Sequence, residues 1–198
     1  IFAGPKLQRE LFDVLLRFKR NPVAVVCDIK EMYLQVEIEE SDRPWFRILW
    51  RNIDIEREPQ VYEFSRVVFG KNSAPMESQF VAQENARRNQ AKYPLAAETV
   101  LKSTYMDDSM DSVETIERDV ELYHQLSDLW GLSGMKARKW MSNAAKVMEA
   151  VPEEGHATEL RLNDKEETIV KTLGITWNSS EDVFAICTGT EKYSSSND

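Results

Sequence analysis

The chain has 198 residues, 42% of them hydrophobic and 30% charged, with 25 Lys+Arg against 34 Asp+Glu and a formal net charge of −9. That composition excludes disorder as a description of the whole chain, and the length is one domain's worth, able to bury about 70% of its unfolded surface without a staple. No apolar run approaches the about 18 residues of a membrane span, and the acidic balance argues against a protein that grips nucleic acid by bulk charge, because phosphate contacts need local Lys and Arg.

Cys27 and Cys187 lie far apart. Neither a disulfide framework nor a zinc cluster is therefore expected, and a reducing compartment is the default. The opening Ile1-Phe2-Ala3-Gly4 has no basic n-region and no apolar h-region, so the chain reads as an internal piece of a longer protein.

Leu7, Leu11, Val14, Leu15 and Phe18 recur at helical spacing and predict an amphipathic helix over residues 6–20, stopped by Asn21-Pro22. Val23-Ala24-Val25-Val26-Cys27 is a β-branched apolar run of the kind a buried strand carries, and it ends on Asp28. Strand-like stretches follow at 45–50 and 61–69, with the polar segment 51–60 as the turn or loop between them. In the loop at 70–75, Ser73 and Pro75 can start a helix that runs to Lys92, before Tyr93-Pro94. Residues 100–106 predict a strand, Asp107-Asp108 a tight turn and 109–113 the return strand, although Asp-Asp is a weaker turn signal than Asp-Gly.

Asp111 or Ser112 can cap the next helix, whose inward face is Val120, Tyr123, Leu126, Leu129 and Trp130 and which Gly131 ends. A strand at 137–141, a short helix at 143–150 and a terminal hairpin of 170–177 with 183–187 complete the pattern. With the insertion at 33–69 set aside, the order is strand, helix, two strands, helix, strand. This is an α+β fold of the ferredoxin-like βαββαβ kind, an antiparallel sheet with helices on one face. The predicted domain is residues 1–187, followed by a frayed tail at 188–198 that contains Ser194-Ser195-Ser196-Asn197.

In that layout the first strand ends at Asp28 and the middle hairpin turns at Asp107-Asp108. These strands are central neighbours, so three carboxylates are expected to converge at one sheet edge. Like charges that close repel unless a cation lies between them. Hard oxygen ligands select Mg²⁺ or Mn²⁺, and two such ions about 3.5–4 Å apart serve an in-line phosphoryl displacement. Taken singly, each Asp is also a strand-end cap or a solvated turn residue; the joint pattern carries the chemistry.

Tyr105-Met106-Asp107-Asp108 resembles the YMDD box of reverse transcriptases. Val25-Val26-Cys27-Asp28-Ile29-Lys30-Glu31-Met32-Tyr33 is similar to that family's first motif, an Asp after a strand with an aromatic five positions on. Phe69-Gly70-Lys71-Asn72-Ser73-Ala74-Pro75 resembles the second, Gly134-Met135-Lys136-Ala137-Arg138-Lys139-Trp140 the fourth, and Leu173-Gly174-Ile175-Thr176-Trp177 the fifth. The wording around them, at 4–18, 28–37 and 138–140, most resembles BEL/Pao-type LTR retrotransposon polyproteins.

The resemblance implies a reverse transcriptase palm with partial fingers, truncated at both ends, that extends a primer with dNTPs under two-Mg²⁺ catalysis, with Mn²⁺ as a substitute. It implies Asp28 and Asp107 as principal metal ligands, Asp108 as a third carboxylate and the Ile29 carbonyl as an auxiliary oxygen. Tyr33 would be the steric gate against a ribose 2′-hydroxyl, or else a half-buried strand tyrosine. Phe69 and Gly70 would line the nucleotide and template path, or form a plain strand-to-helix turn. Tyr105 and Met106 would lie beside the primer terminus, or simply pack. Lys139 would protonate the departing pyrophosphate, or join Lys136 and Arg138 in a basic strip for phosphates. Leu173, Gly174 and Trp177 would build the primer grip, with Trp177 as core filler the alternative.

The implied partners are an RNA or DNA template-primer, dNTPs and polyprotein neighbours (protease, RNase H, integrase), with no membrane. The implied location is cytoplasmic in a virus-like particle, or nuclear, and not secreted. Only 27 residues precede Asp28, so the family's upstream fingers cations are not matched, and the triphosphate role does not carry over to Arg43, Arg47 or Arg51. Lys71-Asn72 is more polar than the retroviral form, and His124 and His156 lack metal-type partners. The fragment alone is therefore expected to be weak or inactive. The rival expectations are an inactive or co-opted fragment that binds nucleic acid or protein, and an RNA-templated RNA polymerase. Under the resemblance the −9 charge no longer excludes nucleic acid. Part of it lies in metal-ligand carboxylates and more on the helix at 114–130.

Overall fold

The computed structural model describes residues 2–157, 169–172 and 175–185. Helix α1 spans Leu11–Phe18 and buries Val14 and Phe18. It is shorter than the periodicity predicts because residues 7–9 are drawn into contacts outside the helix, with the Leu7 carbonyl accepting from Gln83 and Arg9 donating to the Leu101 carbonyl. Strand β1 (Val23–Ile29) follows as expected. The insertion holds 3₁₀ turns at Met32–Gln35 and Glu40–Trp45, then an exposed hairpin of β2 (Arg47–Trp50) and β3 (Gln60–Glu63). The expected strand at 61–69 is cut short because the chain crosses to bridge Arg66 with Glu37.

Helix α2 (Ala74–Asn89) is followed by α3 (Pro94–Lys102), which takes the first three residues of the strand expected at 100–106. Pro94 at the first helical position and the buried Ala96, Ala97 and Val100 are the signals that favour helix there. Strand β4 is only Thr104–Tyr105, and β5 is Asp108–Val113. Because Tyr105 pairs with Asp108, the tight turn is Met106-Asp107, one residue earlier than the Asp-Asp reading places it. A two-residue hairpin loop wants φ > 0 at its first position, and Met106 supplies it at φ 55°.

Helix α4 (Ile116–Leu132) is capped by the Thr115 hydroxyl, which accepts from the Arg118 N–H, and not by Asp111 or Ser112, which stay inside β5. Its buried face holds Leu122 rather than Val120, and the helix passes Gly131 to end at Leu132, with Ser133 as its C-cap and Gly134 at φ 70° behind it. Strand β6 (Ala137–Ser142) and helix α5 (Ala145–Ala150) follow. Strands β7 (Ile169–Thr172), β8 (Ile175–Asn178) and β9 (Val183–Ala185) form a three-stranded antiparallel sheet where a hairpin was expected. Cys187 and the tail at 188–198 lie outside the described residues.

The main sheet runs β4-β5-β1-β6, all antiparallel, so β1 is central between β5 and β6. Strand alternation splits β1 between two cores. Val23, Val25, Cys27 and Ile29 join the large core with Leu122, Leu126, Leu129 and Trp130 of α4 and the small residues of α2 and α3. Ala24 and Val26 point the other way, into a smaller core with Val14 and Phe18 of α1, Met110, Met141 and Trp177. The α+β expectation holds, but helices cover both faces: α1 and β8 lie opposite α2–α4. Each fully buried large apolar side chain contributes about 1.5–3 kcal/mol.

Candidate active site

The site lies where β1 runs past the smaller core. Asp28 continues the side of β1 that carries Ala24 and Val26, so its carboxylate emerges at the end of that face. In register, Asp28 faces Asp108 on β5, and the Ile29 N–H donates to the Asp107 carbonyl at 2.8 Å. The backbones of all three aspartates are thereby adjacent, as expected of central neighbouring strands.

The Asp28 carboxylate receives Arg138 Nε at 2.7 Å on Oδ1 and Lys139 Nζ at 3.2 Å on Oδ2. Among the described residues no three His, Cys, Asp or Glu side chains close on a common point. The three backbones are adjacent, and the Asp28 charge is compensated by two cations. Like charges repel across neighbouring strands, and a guanidinium and an ammonium relieve Asp28 of that repulsion. The donor chemistry still suits a hard divalent ion, which needs only one or two carboxylates plus substrate phosphates.

The two cations reach one carboxylate because β6 is bulged. Val26 pairs with Met141 but Asp28 pairs with Arg138, so β6 carries one extra residue between them. Lys139 occupies the left-handed region at φ 53° within that bulge. Regular alternation would send residues 138 and 139 to opposite faces; the bulge aims both at Asp28. The Lys139 ammonium is half exposed, so its pair with Asp28 contributes less than about 1 kcal/mol and is easily exchanged for another anion.

Beside the aspartates is a cleft of about 220 Å³ lined by Glu31, Met32, Tyr33, Phe69, Met106, Asp107 and Arg138. Tyr33 stands in the 3₁₀ turn after β1, its ring 5.1 Å from that of Phe69. Partial burial, and after it the Asp107 charge, push the Tyr33 hydroxyl pKa up, so the phenol stays neutral. Gly70 lies in the exposed loop at φ 86°, with no atom within 4 Å of where a Cβ would sit. Its glycine character thus answers to backbone conformation and not to packing. A larger cavity of about 670 Å³ lies between the insertion and α2, lined by Val36, Trp45, Lys71 and Phe80 among others, and holds none of the aspartates.

Tyr105 pairs with Asp108 across the turn and packs against the smaller core. Trp177 is fully buried, edge-on to Phe18 at 4.9 Å, and donates its indole N–H to Asp182 at 2.9 Å, so its ring fills the core. Leu173 and Gly174 lie outside the described residues. One neighbour of the site escaped the sequence reading. Gln79 of α2, 2% exposed, donates Nε2 to the Met106 carbonyl at 2.8 Å. The available signal was Gln79 and Gln83 one turn apart on the face of α2 that also carries Ala82 and Ala86.

No protein-family model matches the chain, and no curated protein matches it in sequence. Among solved structures, the chain is similar to a foamy viral protease-reverse transcriptase in complex with an RNA/DNA hybrid, at TM-score 0.56 and 12% identity, over 95% of this chain and 20% of that one. At that identity the likeness concerns the fold. The chain thus spans a fifth of the length of that protease-reverse transcriptase and is similar in fold to that part of it.

Proposed function

We propose that this chain is the palm, with part of the fingers, of an RNA-directed DNA polymerase, within the Pol polyprotein of a BEL/Pao-type retrotransposon. The observation that carries the reading is the register of Asp28 with Asp108, with Asp107 bonded to Ile29 at the mouth of the cleft that holds Tyr33. The fold likeness to a reverse transcriptase supports it.

In the proposed reaction a primer 3′-hydroxyl attacks the α-phosphorus of a dNTP. One P–O bond forms, the P–O bond to pyrophosphate breaks, and the hydroxyl proton leaves to solvent. Asp28, Asp107, Asp108 and the Ile29 carbonyl would hold two Mg²⁺ ions, replaceable by Mn²⁺, which when bound supply Lewis acidity at the attacking and leaving oxygens. Tyr33, backed by Phe69, would present its ring face to the incoming sugar and leave no room for a 2′-hydroxyl. Met106 would flank the primer terminus from the turn, and Phe69-Gly70 would border the template. Lys139 would exchange Asp28 for the departing pyrophosphate and give it a proton. The primer-steadying hairpin would contain Leu173, Gly174 and Trp177, the Trp ring anchoring it from the core. Partners would be a template-primer, dNTPs and flanking protease, RNase H and integrase segments, in a cytoplasmic virus-like particle or the nucleus.

The test is primer extension on an RNA template with Mg²⁺, using the longer parent protein and the chain itself. Extension by the parent, weak or absent in the chain, and lost in the parent on Asp107→Asn is the expected result; activity that survives Asp107→Asn overturns the assignment. A second reading, a fragment that binds without catalysis, is favoured by the neutralised Asp28. An active parent removes it.

A further inference from the structure

A non-glycine residue in the left-handed region costs on the order of 1–2 kcal/mol. Met106 sits there at φ 55°, and neither glycine nor asparagine stands in the turn to make that conformation easy. The orientation of the Met106–Asp107 peptide plane decides where the Asp107 side chain points, because rotating that plane changes ψ of residue 106 and φ of residue 107 together. Something must therefore hold that plane.

The contacts that do so come from outside the hairpin. Gln79 Nε2 donates to the Met106 carbonyl at 2.8 Å, and the Ile29 N–H donates to the Asp107 carbonyl at 2.8 Å. Gln8 Nε2 meets Met106 Sδ at 3.4 Å, and Gln8 is itself kept in place by Gln83, which donates to the neighbouring Leu7 carbonyl at 2.9 Å. Gln79 and Gln83 are buried, on one face of α2. Helix α2 and the N-terminal segment before α1 thus clamp a strained turn. An amide cannot transfer a proton to a reacting group, and the donor of Gln79 is already engaged by a carbonyl.

We propose that Gln79 is a positioning residue: through the Met106 carbonyl it fixes the peptide plane that aims Asp107. Its kinetic consequence rests on the polymerase reading above; the structural claim does not.

The experiment is site-resolved amide exchange on the chain, comparing wild type with Gln79→Met, which keeps the shape and removes the donor. Expected is exchange about tenfold faster at Ile29, whose N–H reports the Asp107 carbonyl, with Leu126 in α4 unchanged. Gln79→Glu is the second variant. Its carboxylate cannot donate, but its protonated form can, so the excess exchange at Ile29 should shrink toward wild type as pH falls to about 5. Single-nucleotide incorporation by the parent protein should lose about tenfold in kcat with dNTP KM within twofold.

Unchanged exchange at Ile29 in Gln79→Met overturns the proposal. So does faster exchange with unaltered kcat, which would leave Gln79 a merely structural contact. Acceleration spread equally to Leu126 would mean general unfolding of the variant, and then absence of the pH rescue in Gln79→Glu overturns it. If the wild-type parent incorporates nothing, the polymerase reading falls, and Ile29 exchange alone still decides whether Gln79 holds the turn.

Discussion

Asp119 carries a pH dependence that does not involve the cleft. It lies near the start of α4, fully buried, with Ser142 donating to Oδ2 at 3.1 Å and Oδ1 without a partner among the described residues. Burial raises its pKa to about 7, the Ser142 hydrogen bond pulls it down, and the nearby Asp111 charge adds to the rise. In the unfolded chain the same carboxyl releases its proton near pH 4. Between pH 4 and 7 the unfolded state therefore loses a proton that the folded state keeps, and stability falls as pH rises through that window. Asp119→Asn removes this penalty. Urea unfolding should find the variant more stable than wild type by about 2–4 kcal/mol at pH 8, with the gap closing toward pH 4. At the same scale Cys27 is inert, because burial pushes its thiol pKa up. The candidate site was partly legible residue by residue. Asp28, Asp107, Asp108 and Tyr33 stand out by type and spacing, whereas Gln79 and the Arg138–Asp28 pair depend on contacts across 27 and 110 positions that no local pattern encodes.

Among the elements, those with strong periodicity were readable and those set by tertiary pairing were not. Strand β1, helices α2 and α4 and strand β6 follow from apolar runs and turn residues. The last turn of α3 carries a strand-like pattern because Val100-Leu101 is apolar and short, where periodicity cannot separate helix from strand. The bulge at Lys139 has no sequence mark, since glycine, its usual occupant, is missing. Nor did the pattern show that the three-stranded sheet β7–β9 closes the smaller core. Trp177 of β8 packs on Phe18 of α1, and Phe184 stacks on the same ring at 5.6 Å. Lys19 reaches across to Asp182 in the same region. Trp177→Ala removes the ring that joins these elements and should destabilise the fold by about 3–5 kcal/mol. Limited proteolysis should then cut within α1 and β7–β9 well before α4, because the large core on the other face does not contain Trp177.

For the whole molecule, net charge is a poor guide and placement a good one. The chain carries −9 overall, yet Arg138 lines the cleft and Lys139 joins it on Asp28, with Lys30 bonded through its backbone to Lys136 nearby. Both cations face Asp28, so their attraction for a phosphate backbone is offset by one carboxylate. If this face receives a template-primer, the offset has a measurable sign. Asp28→Asn removes one negative charge and frees a guanidinium and an ammonium to contact phosphates. Binding of a fluorescent RNA/DNA hybrid should become tighter in Asp28→Asn, and the slope of log K against log salt should steepen by about 1–2, one phosphate contact contributing about 0.9. Primer extension by the parent should be lost in the same variant, because the carboxylate is a proposed metal ligand. Tighter binding joined to lost chemistry separates a polymerase face from a plain anion-binding patch on another part of the surface. Salt-independent affinity, or weaker binding in Asp28→Asn, would place the nucleic acid elsewhere on the molecule.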